Sequence, residues 1–215
     1  MLTSSNKMNN SQITKQNIEI VVARYQENID WLSQYNHFVT VYNKGDTDFP
    51  EQKKLDNIGR ESHTYLTHII DNWDNLADKT FFCQGDVSDH PVFPTFKYLF
   101  NKRDLTINLD CHSSSCHQFW GHLINGHLLG LDCSPYTFGQ WWIHYVKKTI
   151  PNPRNFQWAS GANFSVSREL IKQNSLEYYQ HLQNSLRNSS NPEEGHYFER
   201  SWFYIFDQGL RKSSK

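Results

Sequence analysis

Ile18–Ala23 (IEIVVA) is the stretch whose reading decides the fold. It is β-branched and bounded by polar sequence, the pattern of a buried strand. Downstream of it, Asn28 caps a short helical stretch (IDWLSQY), and His37–Tyr42 (HFVTVY) alternates as a second strand. Asn43-Lys44-Gly45-Asp46 is a turn signal, followed by a polar loop to Asn57. Between Arg60 and Leu76, apolar residues recur at Tyr65, Leu66, Ile69, Ile70, Trp73 and Leu76, a helical spacing of three and four. Thr80–Cys83 (TFFC) is a third strand, closed by Gln84-Gly85-Asp86. Strand, helix, strand, helix, strand predicts an α/β fold: a single Rossmann-like domain with a mainly parallel central sheet flanked by helices.

The second half is less regular. Phe93–Phe100 reads as a helix introduced by prolines, Leu105–Leu109 as a strand, and Asn125-Gly126 as a hairpin turn. Phe138–Lys148 is aromatic and helical, and Phe156–Val166 reads as a strand pair broken by Gly161. Ser167 caps RELIKQ, Leu176–Leu186 continues as helix, Asn188–Gly195 is a loop, and His196–Phe206 is a final aromatic helix. The polar stretch 1–16 reads as a disordered lead, 17–208 as the folded domain, and 209–215 as a frayed tail.

Composition narrows the function. Of 215 residues, 37% are apolar and 15% aromatic, where soluble domains carry ~45–50% apolar residues. Rings therefore build much of the core. No run of ~18 apolar residues predicts a membrane span, and the net charge of -1 provides no positive field for nucleic acid. The polar start lacks the apolar core of a signal peptide, and four cysteines without an export signal suggest reduced thiols and a cytoplasmic protein.

In an open α/β sheet, ligands bind outside the carboxyl ends of the strands. That rule brings Arg24, Lys44 and Arg60 towards one crevice with Asp86 and Asp89, a mixture suited to a phosphate-bearing ligand with a bridging Mn²⁺ or Mg²⁺ ion. Surface salt bridging would explain the same residues. Gly59–His63 opens a helix, and its N-terminus is either an anion site or an ordinary capped end. Asp86, Asp89 and His90 directly follow a strand and form the metal candidate, the imidazole shifting preference towards Mn²⁺. Cys111, His112, Cys116 and His117 allow a zinc reading, though two well-separated ligand pairs are missing. No nucleophile elbow, Walker loop or GxGxxG is present. Trp158, beside Ser160-Gly161-Ala162, is a ring that a sugar could stack on, and Glu199 is either a general base among aromatics or the partner of an arginine.

VVARYQENIDWL, NIGRESHTYLTHIIDNWDNLAD, TFFCQGDVSDH, WASGANFSVSRELI and GHYFERSW together resemble an uncharacterised family of microbes, fungi and large DNA viruses that has been likened to GT-A glycosyltransferases. They are also similar to the glycosyltransferase domains that chloroviruses use on capsid glycans. The resemblance spans about residues 20–206. It implies a GT-A-like domain that moves a hexosyl or deoxyhexosyl group from a UDP- or GDP-linked nucleotide-sugar donor to a glycan or glycoprotein acceptor. Ala23, Arg24, Tyr25 and Arg60 would meet the nucleotide, and Asp86 would lead the metal ligands. Gly161, Ala162 and Asn163 would line the sugar pocket, and Glu199 would deprotonate the acceptor hydroxyl. The family's Asp-x-Asp is absent, leaving Asp89 or His90 to take part. A non-catalytic carbohydrate-binding module and a metal-dependent hydrolase are the alternative readings.

Overall fold

A computed structural model describes residues 17–48, 52–87, 111–114, 119–122, 130–159 and 162–206. The expected helix at Phe93–Phe100, strand at Leu105–Leu109, turn at Asn125-Gly126 and polar ends lie outside the described residues.

The first strand, β1 (Ile18–Arg24), is the centre of the structure. It pairs in parallel with β2 (Val39–Asn43) on one side and with β4 (Lys79–Gln84) on the other. A two-residue β3 (Lys53–Lys54) extends the sheet beyond β2. β7 (Phe164–Ser167) closes the far side, antiparallel to β4, giving the order β3-β2-β1-β4-β7. A separate antiparallel pair joins β5 (Cys111–Ser114) to β6 (Phe156–Ala159). The strand pair expected over Phe156–Val166 is therefore corrected. Its two halves are both strands, but each pairs with a distant partner in a different sheet.

Side chains alternate across β1, because successive residues of a strand face opposite ways. Ile20 and Val22 pack with Val41, Phe81 and Cys83 beneath a 3₁₀ segment, Asp30–Phe38, that joins β1 to β2. Asn28, two residues before the segment, accepts the Asp30 N–H at 2.7 Å. Val21 and Ala23 face the larger core, built on helices α1 (Arg60–Asp71), α2 (Phe138–Trp141, continued as a π turn to Val146), α3 (Arg168–Lys172), α4 (Leu176–Gln183) and α5 (Glu193–Phe206). This side is where the aromatic excess goes. Trp141, Trp142, Tyr197, Phe198, Trp202 and Phe206 are all fully buried. Trp202 stacks on Phe206 at 5.7 Å and lies 5.9 Å from Tyr65, so it is core and not a platform for sugar.

The same face carries one buried carboxylate at the amino end of β1. Glu19 accepts from Thr40 Oγ1 at 2.5 Å and lies 3.5 Å from His68 Nε2, whose Nδ1 meets Tyr42 Oη at 3.2 Å. Partnered this way, its burial is tolerated. Of the N-caps expected from sequence, Ser167 forms as read, accepting the Leu170 N–H of α3, whereas the cap of the 3₁₀ segment is Ile29, one residue after Asn28. The continuation expected over Leu176–Leu186 is instead the separate helix α4, which ends at Gln183 and is capped by Ser175 through the Tyr178 N–H.

Candidate functional site

Order in the sheet locates the site. The chain leaves β1 towards β2 and β3, then crosses back to β4 on the other side of β1. The carboxyl ends of β1 and β4 thus form a topological switch point, where the crevice of a 3-2-1-4 mononucleotide half lies.

Arg24 ends β1 and is buried. Its Nε donates to Glu27 O at 3.0 Å, and its Nη1 donates to Asn43 Oδ1 at 2.8 Å and Thr47 O at 3.2 Å. It ties the loop after β1 to the loop after β2. Ala23 is buried in the sheet and accepts from Gly85 N at 2.9 Å. Tyr25, next in sequence, is 44% exposed, an aromatic ring held out at the switch point. Across from it, Glu27 accepts the Tyr25 N–H at 2.6 Å, and its Oε2 lies 2.7 Å from where a Cβ on Gly85 would stand. Only glycine lets this carboxylate lie against the end of β4, one residue before Asp86. Asn163 is fastened to the same end, its Oδ1 accepting the Gln84 N–H at 3.0 Å, with Ala162 buried beside it at φ 50°. The structure therefore gathers Ala23, Arg24, Tyr25, Gln84, Asp86, Ala162 and Asn163 at one edge. Asp89, His90 and Gly161 lie outside the described residues, as do Cys116 and His117. Among the described residues no three His, Cys, Asp or Glu side chains group as a metal site.

A second group forms where α1 begins. Gly59 (φ 64°) and Arg60 (φ 51°) are both left-handed, and a Cβ on Gly59 would stand 2.8 Å from His63 Cβ, so the first of these positions needs glycine. Lys44, buried after β2, reaches over and donates its Nζ to the carbonyls of Ile58, at 2.5 Å, and Arg60. Its burial lowers it to about 8, with Glu61 pulling weakly the other way. Arg60 donates to Asn191 Oδ1 at 2.8 Å and packs on Gly195 of α5, where a Cβ would meet Arg60 Cδ at 2.6 Å. Arg60 Nε also lies 3.5 Å from Glu61 Oε2.

Glu61 itself was not foreseen. Its side chain is 8% exposed. Burial pushes its carboxyl up; Arg60 opposes the shift and Glu199 adds to it. The first turn of α1 thus already holds a carboxyl group, which competes with the anion site read from Gly59–His63. Glu199, on α5, lies 3.7 Å from both His196 Nδ1 and Arg200 Nη1. It has the arginine partner that one reading gave it, and it also stands in the partly exposed rim that the other reading needs. One turn along α1 from Glu61, Tyr65 Oη is fully buried with no hydrogen-bond partner among the described residues.

His63, on the same turn, is lowered to about 4 by burial and by Lys44. Its folded value lies below the ordinary 6.5, so the unfolded chain binds the proton first as pH falls. Its contribution to stability is full above 6.5 and is lost as pH drops towards about 4. Urea unfolding of the wild type and of His63→Gln over this range should show the difference between them closing towards low pH. A pH-independent difference would contradict it.

The chain belongs to the family described as a protein of unknown function (DUF3431), which matches residues 20–214. No curated protein and no solved structure matches it.

Proposed function

We propose that this DUF3431 member is a metal-assisted glycosyltransferase, moving a sugar from a UDP- or GDP-linked donor to a hydroxyl of a glycan or glycoprotein acceptor. The observation that carries this reading is a nucleotide-type switch point at the ends of β1 and β4, next to the end of β2 whose Lys44 reaches Arg60, together with a partly exposed Glu199 flanked by His196 and Arg200 on the helix that packs on Arg60. The donor's base stacks on the outward ring of Tyr25. Arg24 acts indirectly, holding the loops that present that ring. Arg60 supplies positive charge near the diphosphate, and the Ala162–Asn163 turn borders the sugar.

Glu27 and Asp86 offer hard oxygen donors around Gly85, which fits a divalent cation. Asp86, with Asp89 and His90, would hold Mn²⁺ or Mg²⁺, which when bound neutralises charge on the leaving diphosphate. The chemistry left to the chain is proton removal. Glu199 takes the proton of the acceptor hydroxyl as that oxygen attacks the anomeric carbon, and the diphosphate leaves with the electron pair of the broken C–O bond.

A thermal-shift screen of UDP- and GDP-sugars, with and without Mn²⁺, tests the reading. A donor at about a hundred times its Kd stabilises by ~2.7 kcal/mol, raising Tm several degrees, and the rise should need the metal. A response to free oligosaccharide with none to any nucleotide sugar would favour the binding module. Hydrolysis of a chromogenic ester that Asp86→Ala abolishes, with no nucleotide response, would favour the hydrolase.

A further inference from the structure

Two contacts between α1 and α5 fix what lies between them. Arg60 packs on Gly195, and the Tyr65 ring lies 5.9 Å from the Trp202 ring. On a helix, residues three and four apart share a face. Glu199 follows Gly195 by four residues and precedes Trp202 by three, while Glu61 comes directly after Arg60 and precedes Tyr65 by four. The two contacts therefore bracket one carboxyl on each helix. Glu61 and Glu199 each stand one turn before the Tyr65–Trp202 contact, Glu61 the more buried and Glu199 the less.

We infer that Glu61 is a positioning residue for Glu199. The two carboxyls act as a pair holding one proton, which rests on Glu61 and leaves the negative charge on Glu199. Two carboxylates at one place do not both ionise readily. The buried member keeps the proton, since taking a charge out of water is the larger cost. Of the groups facing Glu61, only Glu199 favours the proton staying on it; Arg60, His196 and Lys44 favour the charged form, and burial outweighs them. Arg60 sits beside it on α1, His196 and Glu199 face it from α5, and Lys44 reaches it from the loop after β2. Tyr65 Oη, which feels Glu61, Cys83 and Glu199, is an uncommitted donor on the inner side of the pair.

The role of the pair in catalysis rests on the transferase reading, and its chemistry balances. The acceptor O–H proton goes to Glu199, the oxygen's electron pair forms the new C–O bond, and the old C–O pair leaves with the diphosphate. Both carboxyls are then neutral until Glu199 returns its proton to water. A protonated Glu61 throughout spares Glu199 a second negative charge beside it.

The pair can be read without substrate, by infrared difference spectroscopy of the ¹³C-glutamate-labelled full chain. The wild type should show the C=O band of a buried protonated carboxyl at neutral pH. Glu61→Gln should remove it. Glu199→Gln should keep the band but lower the pH at which it vanishes by about one unit or more, the signature of coupled sites. No such band in the wild type, or one that Glu61→Gln leaves in place, overturns the inference. So does a band whose midpoint Glu199→Gln does not move, which is a carboxyl protonated by burial alone. Should Glu61→Gln fail to fold, the Glu199→Gln midpoint still decides. A failed donor screen removes the transferase reading while leaving these spectra unchanged, so the two failures are distinguishable.

Discussion

Glutamine in place of Glu199 is expected to lower sugar transfer ~10²–10⁴-fold, the usual contribution of a positioned general base. The amide matches the carboxylate in size but cannot take up the acceptor's proton. Little else should change, because Glu199 is on the partly exposed rim of α5 and its ion pairs with His196 and Arg200 are long, both 3.7 Å. Ion pairs this long that still meet water at the rim contribute on the order of 1 kcal/mol, so the melting temperature should stay within a few degrees of the wild type. Donor binding is also expected to survive, since Tyr25 and Asp86 stand at the ends of β1 and β4, not on α5. The combination is diagnostic: transfer lost, donor-induced thermal shift kept. Transfer at the wild-type rate would remove Glu199 from the chemistry. Loss of rate and donor shift together would make it a residue of the donor pocket instead.

Glu199 could be singled out in sequence because its partners are local. His196 and Arg200 lie three and one residues away, and the spacing of aromatics from His196 to Phe206 announces the helix. The same segment shows where local signals stop. Asn188–Gly195 reads as a loop because Pro192 and Gly195 interrupt it, yet α5 begins at Glu193. That start is set from afar, by the Glu193 N–H donating to Asp132 O and by its carboxylate accepting the Ser134 N–H at 2.9 Å. Gly195, which looks like a breaker, is the position on which Arg60 packs.

Glu61 illustrates the limit most clearly. Nothing in GRESH marks its third residue as buried, because the burial is supplied by a helix more than a hundred residues later. The parallel core was legible for the opposite reason. β1, β2 and β4 are runs of apolar residues that must be covered wherever they go, and the segments between them are long enough to cross over. The destinations of β6 and β7 were not legible, since their adjacency in sequence suggested a hairpin while their hydrogen bonds go to Cys111–Ser114 and Lys79–Phe82.

The largest loss of stability is expected from Gly45→Ala. A Cβ at Gly45 would stand 1.6 Å from Tyr25 O and 2.7 Å from Tyr25 C, both backbone atoms that no rotamer can move aside. One of two loops must shift, and both are held by the same bonds. Lys44 N donates to Arg24 O at 2.8 Å, Gly45 N donates to Asn43 Oδ1 at 3.1 Å, and the Arg24 guanidinium binds that same Asn43 oxygen and Thr47 O. Separating the loops leaves the buried Arg24 charge short of acceptors, and breaking a buried charged group from its partners costs ~3–5 kcal/mol. For a chain of this size that is a fall in Tm on the order of 10 °C. Gly130→Ala is the proper comparison. Gly130 is left-handed (φ 61°) but has nothing among the described residues within 4 Å of its Cβ position, so alanine there carries the conformational cost, ~1 kcal/mol. Urea unfolding of both variants separates the two causes. Because Tyr25 belongs to the displaced loop, Gly45→Ala should also abolish the donor-induced thermal shift at temperatures where it remains folded. If Gly45→Ala costs no more than Gly130→Ala, the loops after β1 and β2 are not locked together, and Arg24 does not hold Tyr25 in place.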